Sequence, residues 1–253
     1  VGRYLGAASM GVYTLAFRMP DLLILQFARI LSSVIFPIYT RMRDVPGSLT
    51  KGFTMTTRYV SLVTVPLGLG LAILAKPFIL TVFTSKWTEA IPVVSAISIY
   101  AMLLSLVYNA GSVYKAEGRP QVLTWLGLAR LVILFPGLLW ATKYIQSIVA
   151  VGWVQAVVAG FGVALNLYVA AKLLKISPRI LFDALRPAFL AGFFMVCAIL
   201  LVLFFTENSN SWIQLGLSII FGTAAYITSL WIFQRDVIDS ASRQVRSALS
   251  RVS

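Results

Sequence analysis

The chain reads as an all-α, polytopic transmembrane helix bundle of about seven spans. Three observations predict this. Apolar runs near the ~20 residues that cross a bilayer recur from residue 9 to residue 233 with short polar breaks between them. Only 11% of the residues are charged, 59% are hydrophobic and the mean hydropathy is +0.89, whereas soluble domains carry about 25% charged residues. The apolar runs are continuous rather than alternating, which excludes the strands of a membrane β-barrel. Residues 1–233 are therefore read as one helical bundle and residues 234–253 as a cytoplasmic, basic, amphipathic tail.

The first predicted span, 9–39, is longer than a bilayer needs. Pro20 lies inside it and Pro37 near its end, and a proline removes a helix hydrogen bond, so a bent or tilted helix is expected. The second span covers 59–75, with Pro66-Leu-Gly-Leu-Gly70 breaking its middle. Residues 76–83 are too short to cross and lie at the interface or continue that helix. The third span is 90–114. The fourth, 122–141, contains Arg130 and Pro136; the fifth is 148–173, the sixth 187–205 and the seventh 212–233. Ser177-Pro178 before residues 179–186 predicts a short interfacial helix, with the serine as cap and the proline in the first turn. In the tail, Val237, Ile238, Ala241, Val245, Ala248, Leu249 and Val252 recur at helical steps. They fit a helix lying on the membrane surface or a solvated tail. Tyr59, Trp87, Trp140 and Trp212 sit at span ends, where aromatic side chains anchor the interface.

The 21 basic residues divide sharply. Fourteen, including Arg41, Arg43, Lys51, Arg58, Lys115, Arg119 and the arginines of the tail, fall on one side; Arg3, Lys76, Lys86 and Lys143 fall on the other. The asymmetry alternates loop by loop. By the positive-inside rule the C-terminus is cytoplasmic and Val1 is outside, in agreement with an odd number of spans. This distribution accounts for the net charge of +13 without nucleic acid, for which no free-standing basic and aromatic platform exists. The chain has no histidine, which removes the commonest proton shuttle and most zinc chemistry. Its acids are scattered, without paired carboxylates or metal-ligand spacing, so neither an enzyme nor a cofactor is predicted. Cys197 reads as a small buried hydrophobe.

The remaining cations, Arg18, Arg29 and Arg130, lie inside spans, and Asp21 accompanies the first two. A charge at mid-membrane costs about 2.5–3.5 kcal/mol on insertion scales, so such residues usually face a polar interior. Arg18 to Arg29 is eleven residues, almost a whole number of turns at about 3.6 residues per turn. One shared face, lining a polar cavity, is expected, with the arginines as contacts for an anion. Asp21 could hold Arg18, release it when a ligand arrives, or take up a proton or cation. The structural alternatives are a local Arg18–Asp21 ion pair that aids insertion, and snorkelling of Arg29 or Arg130 toward the head groups. Asn109, Gln155 and Asn166 could contact a polar ligand or bond between helices; Gly152, Gly160 and Gly162 suit close helix packing.

Gly2-Arg-Tyr-Leu-Gly6, Met10-Gly-Val-Tyr13, Ala16-Phe-Arg18, Ile35-Phe-Pro-Ile-Tyr-Thr-Arg41, Pro66-Leu-Gly-Leu-Gly-Leu-Ala-Ile-Leu-Ala75, Trp87-Thr-Glu-Ala-Ile-Pro92 and Lys115-Ala-Glu-Gly-Arg-Pro120 resemble the second half of polysaccharide flippases. These are the lipopolysaccharide and exopolysaccharide exporters of the multidrug/oligosaccharidyl-lipid/polysaccharide superfamily. The resemblance is strongest through Pro120 and thin after Leu174. It implies one of two pseudo-symmetric bundles of a 12–14-helix transporter in the bacterial inner membrane. The cargo would be undecaprenyl-diphosphate-linked oligosaccharide repeat units. For such a cargo the residues read as binding it are Arg18, Asp21, Arg29, Arg130 and Asn109. The implied partners are the lipid-linked oligosaccharide, membrane lipids, and a separate N-terminal half or a polysaccharide polymerase. The opening Val1-Gly2-Arg3, without an initiator methionine, suggests the C-terminal part of a longer transporter. A drug or cation antiporter of the same superfamily and a lipid II flippase stand as alternatives.

Overall fold

A computed structural model describes residues 2–233. Within them the chain is helical throughout. In order it forms α1 (Gly2–Pro20), a π turn (Asp21–Leu25), α2 (Gln26–Met42), α3 (Ser48–Ile73), α4 (Ala75–Val82) and a 3-10 turn (Ser85–Ala90). There follow α5 (Ile91–Ala116), α6 (Gln121–Trp140), a second π turn (Ala141–Ile145), α7 (Ile148–Leu174), α8 (Pro178–Phe205) and α9 (Ser211–Phe233). Seven helical runs among these are long and apolar enough to cross a membrane, so the chain is a multi-pass, all-α membrane protein. The predicted tail lies outside the described residues.

α5 is the central post. It packs against α7, α3, α2 and α1, while α8 and α9 pack on each other and on the far side of α3. Small and hydroxyl side chains permit this central position. Ser98, Ser105, Asn109, Gly111 and Ser112 are all buried along α5. The Ser105 hydroxyl bonds the Thr64 hydroxyl at 2.9 Å, the Ser95 hydroxyl donates to the Ala72 carbonyl at 2.7 Å, and Ser32 and Ser112 share a 2.6 Å hydrogen bond. Inside a bilayer, where apolar burial does not distinguish helix from lipid, such bonds and close contacts hold helices together. α6 is the opposite case: it has no buried residue and lies at the edge of the bundle against α7.

Three boundaries differ from the sequence reading. α3 begins at Ser48, eleven residues before the predicted start at Tyr59. Its polar first turns resemble a loop, yet Leu49, Phe53, Thr57 and Val60 are buried at helical steps and seat this stretch on the bundle. Pro66-Leu-Gly-Leu-Gly70 does not break α3, which runs through it unbroken. Pro66 cannot donate to the carbonyl of Leu62; the Tyr226 hydroxyl of α9 donates to that carbonyl instead, at 2.8 Å. Residues 179–186 are not a separate interfacial helix either. They form the first turns of α8, which continues past Pro187 with Leu181, Ala184, Pro187, Ala188 and Ala191 on one buried stripe. Residues 76–83 form their own short helix, α4, set off from α3 at Leu74 and packed on α9.

Candidate functional site

The π turn that follows Pro20 determines how the charges of the first span are arranged. The Gln26 backbone N–H donates to the Asp21 carbonyl, five residues back, so this single turn absorbs one residue more than an α-helical turn. In a regular helix, at about 100° per residue, Arg18 and Arg29 would share a face and Asp21 and Arg29 would diverge by about 80°. One absorbed residue reverses this, placing Asp21 and Arg29 within about 20° of each other.

The contacts agree. Arg29 Nη2 donates to Asp21 Oδ1 at 2.9 Å and to Gln26 Oε1 at 2.9 Å. Asp21 therefore pairs with Arg29 rather than with Arg18, correcting the expected local pair. Arg18 has no ion-pair partner among the described residues. It borders an open groove of about 680 Å³ lined by Met10, Gly11, Thr14, Leu15 and Trp87.

These groups form a stripe. Thr14 and Arg18 on α1, and Gln26, Arg29, Ser33 and Thr40 on α2, all lie on the outer surface, within about a third of the helix circumference once the π turn is counted. The Arg29 and Asp21 side chains keep 41% and 28% of their surface open. A guanidinium, a carboxylate and a carboxamide on an open face of a membrane-spanning helix do not have hydrocarbon as their solvent. The stripe faces water, a polar ligand or another polar surface. A paired arginine with free donors can take a phosphate or carboxylate through its planar fork while Asp21 fixes its orientation.

Arg130 is elsewhere. Its Nη2 donates to the Tyr100 hydroxyl at 3.2 Å, and its guanidinium carbon lies 5.6 Å from the centre of that ring. The ring of Tyr100 is 6.1 Å from Phe17, and Phe17 is 6.0 Å from Tyr13, whose hydroxyl accepts from Gln155 Nε2. Arg130 thus belongs to a cleft between α5, α6 and α7, joined to α1 by three aromatic rings. Arg18 and Arg130 line different cavities.

Asn109 is 4% exposed. Its Oδ1 accepts from the Tyr39 hydroxyl at 3.1 Å and its Nδ2 donates to Thr57 Oγ1 at 2.8 Å, tying α2 and α3 to α5. The structure gives it partners inside the bundle and no place on the stripe.

Two polar residues enter the picture that sequence reasoning did not assign to a site. Gln26 had a legible signal: a carboxamide three residues before Arg29 in an apolar run. Arg58 reads as a loop residue in the sequence because the polar first turns of α3 hide its start. It lies ten residues inside α3, about 15 Å from the helix start at ~1.5 Å per residue. It borders a groove of about 510 Å³ between α3 and α8 with Lys51, Thr54 and Asp183.

Comparison with known proteins gives consistent results. Residues 1–92, which carry the stripe, match the family described as "Polysaccharide biosynthesis protein". The chain is 29% identical over 191 residues to the teichuronic acid biosynthesis protein TuaB of Bacillus subtilis, covering 75% of this chain and 39% of that protein. It is 28% identical over 122 residues to the lipopolysaccharide biosynthesis protein WzxC of Escherichia coli, covering 48% and 25%. It is 26% identical over 132 residues to the succinoglycan biosynthesis transport protein ExoT of Rhizobium meliloti, covering 52% and 27%. The chain spans less than half the length of these relatives. No solved structure matches it. The resemblance to polysaccharide exporters read from the residues is thus supported by a family match and by named relatives.

Proposed function

We propose that this chain forms one wall of a flippase that moves lipid-linked oligosaccharide repeat units across the bacterial inner membrane for polysaccharide biosynthesis, and that it acts as a transporter rather than as an enzyme. The observation that carries the reading is the open Asp21–Gln26–Arg29 cluster on a membrane-spanning helix. Moving a diphosphate through hydrocarbon unaided is prohibitive. A guanidinium held by a neighbouring carboxylate and carboxamide offers that head group charge and donors at mid-membrane. Arg18, on the same stripe with no ion-pair partner of its own, supplies a second cation. Two cations against one acid favour an anionic cargo over the cationic cargo of a drug antiporter. A second polar surface opposite the stripe completes the path, and alternating access follows if the two walls rock about the cluster.

The reading is tested in cells depleted of the protein. Undecaprenyl-linked repeat units should then accumulate facing the cytoplasm, closed to a hydrolase added outside spheroplasts. Units that remain accessible at the normal level overturn it.

The stripe and the orientation are tested by cysteine labelling in the cysteine-free chain. Cysteines at Thr14 and Ser33 should react with a membrane-impermeant maleimide, whereas one at Val132, on the outer face of α6, should not. Cysteines at Ser48 and Ser250 should label from the cytoplasm and one at Asn208 from outside. Protection at both Thr14 and Ser33 removes the aqueous stripe, and the reverse sidedness overturns the cytoplasmic C-terminus.

A further inference from the structure

The cleft around Arg130 is not explained by the stripe. It encloses about 110 Å³ between α5, α6 and α7, with walls that include Leu104, Leu126 and Leu165. Two of the residues that border it each carry a buried polar atom without a hydrogen-bond partner: Arg130 Nε, a donor that an anion can satisfy, and Asn166 Oδ1, an acceptor that calls for a hydroxyl rather than for the anion itself. Asn166, 6% exposed, uses its Nδ2 on the Gly162 carbonyl at 2.8 Å. Among the described residues, Arg130 pairs with no carboxylate; its partners are the hydroxyl and ring of Tyr100. An arginine does not shed its proton in a protein, so its charge needs a counter-ion.

Arg130 lies nine residues along α6 from Gln121, about 14 Å at ~1.5 Å per residue. Its guanidinium turns inward to Tyr100 rather than out toward the head groups, so the neutralising group must come to the arginine. The cleft has room at the right place. Gly127 and Gly162 both border it, and a Cβ added to either would meet open space. A Cβ added at Gly152 would lie 3.0 Å from Ala96 Cβ, so that glycine suits close helix packing, whereas one at Gly160 would make an ordinary 3.8 Å contact with Leu103 and one at Gly162 would meet nothing.

We infer that the Arg130 cleft is an anion site, separate from the α1–α2 stripe, that takes a phosphate group: the phosphodiester of a membrane lipid or free phosphate. The guanidinium matches phosphate geometry with its unused donors. The lipid form has a further fit. α6 exposes its outer face along its whole length, and the apolar walls suit the chain attached to a phosphodiester. An occupant here would clamp α6 to α5 and, through Tyr100, Phe17 and Tyr13, bear on α1.

The experiment uses the whole protein, delipidated in detergent, and follows its thermal unfolding midpoint. Phosphatidylglycerol is titrated in one arm and inorganic phosphate in the other. Three variants are compared with the wild type: Arg130→Gln, which removes the charge; Gly127→Leu, which fills the cleft and leaves the arginine in place; and Arg43→Gln, which removes an exposed arginine after α2 that borders neither the cleft nor the Arg18 groove. The expected result is a saturable rise in midpoint for the wild type and Arg43→Gln. Arg130→Gln and Gly127→Leu should each need about tenfold more ligand or more, as loss of charge-assisted hydrogen bonds implies. A rise with the lipid alone assigns the phosphate to a lipid, and a rise with phosphate alone assigns it to the solution ion. If Arg130→Gln does not fold, Gly127→Leu decides. No saturable rise in either arm, or a rise that Gly127→Leu and Arg130→Gln leave unchanged, overturns the site.

Discussion

Arg29→Ala is expected to reduce export of lipid-linked repeat units at least tenfold while protein abundance in the membrane stays near normal. The magnitude follows from the bonds removed. A hydrogen bond to a charged group contributes about 1.5–3 kcal/mol, a factor of about ten to a hundred in a rate or an affinity. Abundance should hold because the pair is open to its surroundings and exposed ion pairs add little to stability. The companion variants separate transport from insertion. If Arg29 and Asp21 only neutralise each other so that the helix can enter the membrane, the double variant Arg29→Ala with Asp21→Ala should restore export. If Arg29 holds the head group and Asp21 aims it, the double variant remains as inactive as Arg29→Ala, and Asp21→Asn, which keeps the shape and loses the charge, retains part of the activity. Arg18→Ala should reduce export by a similar factor, and the effect of Arg18 should persist in the Asp21→Asn background because the two residues are not paired. Export restored in the double variant would reduce the cluster to an insertion device.

How much of this was legible in the sequence follows from the physics of each part. Spans are legible because a backbone in hydrocarbon must be helical, and a run of some twenty apolar residues has no other reading. The interior charges are legible for the same reason. Their pairing is not. A regular helix puts Arg29 in register with Arg18, and the π turn shifts it by one residue into register with Asp21. A proline marks where a helix may deviate, but Pro20 is followed by a π turn, Pro66 is absorbed into α3 because Tyr226 supplies the donor from α9, and Pro187 lies within α8 without ending it. What distinguishes these cases is a partner far away in the chain. The start of α3 is hidden for a related reason: Thr50, Lys51, Thr54 and Arg58 read as a loop until the buried stripe of Leu49, Phe53 and Thr57 is placed against the rest of the bundle. Arg130 was visible as a membrane cation, but its enclosure by α5 and α7 depends on Tyr100 and Asn166, which sequence distance hides.

Gly68→Leu is expected to remove most of the folded protein from the membrane. Gly68 sits where α3 crosses α5. A Cβ there would lie 2.5 Å from Met102 Cβ, 3.0 Å from Met102 Cγ and 3.2 Å from the Ser98 carbonyl oxygen. Two of the three atoms are fixed by the α5 backbone, so rotation of a side chain cannot relieve the contact. The helices must separate, and separation affects the neighbouring bonds. Ser105 to Thr64 and Asn109 to Thr57 bridge the same pair of helices. Overpacking alone costs about 1–3 kcal/mol; unsatisfied buried polar groups add about 1–3 kcal/mol each. Against a total stability of about 5–15 kcal/mol, the sum is large. Gly70→Ala is the control, because its Cβ would meet only Met195 Cε, at 3.9 Å. Heat-induced aggregation of the detergent-solubilised protein should show Gly70→Ala near the wild type and Gly68→Ala lowered by several degrees, with Gly68→Leu scarcely recoverable. The result bears on function as well as stability. Pro66-Leu-Gly-Leu-Gly70 reads in the sequence as a break in the middle of its span, yet in the structure Gly68 lies where α3 and α5 approach too closely for a side chain. If Gly68→Leu accumulates normally and melts like the wild type, α3 and α5 are free to part at that point, and the segment regains its reading as a break in the span.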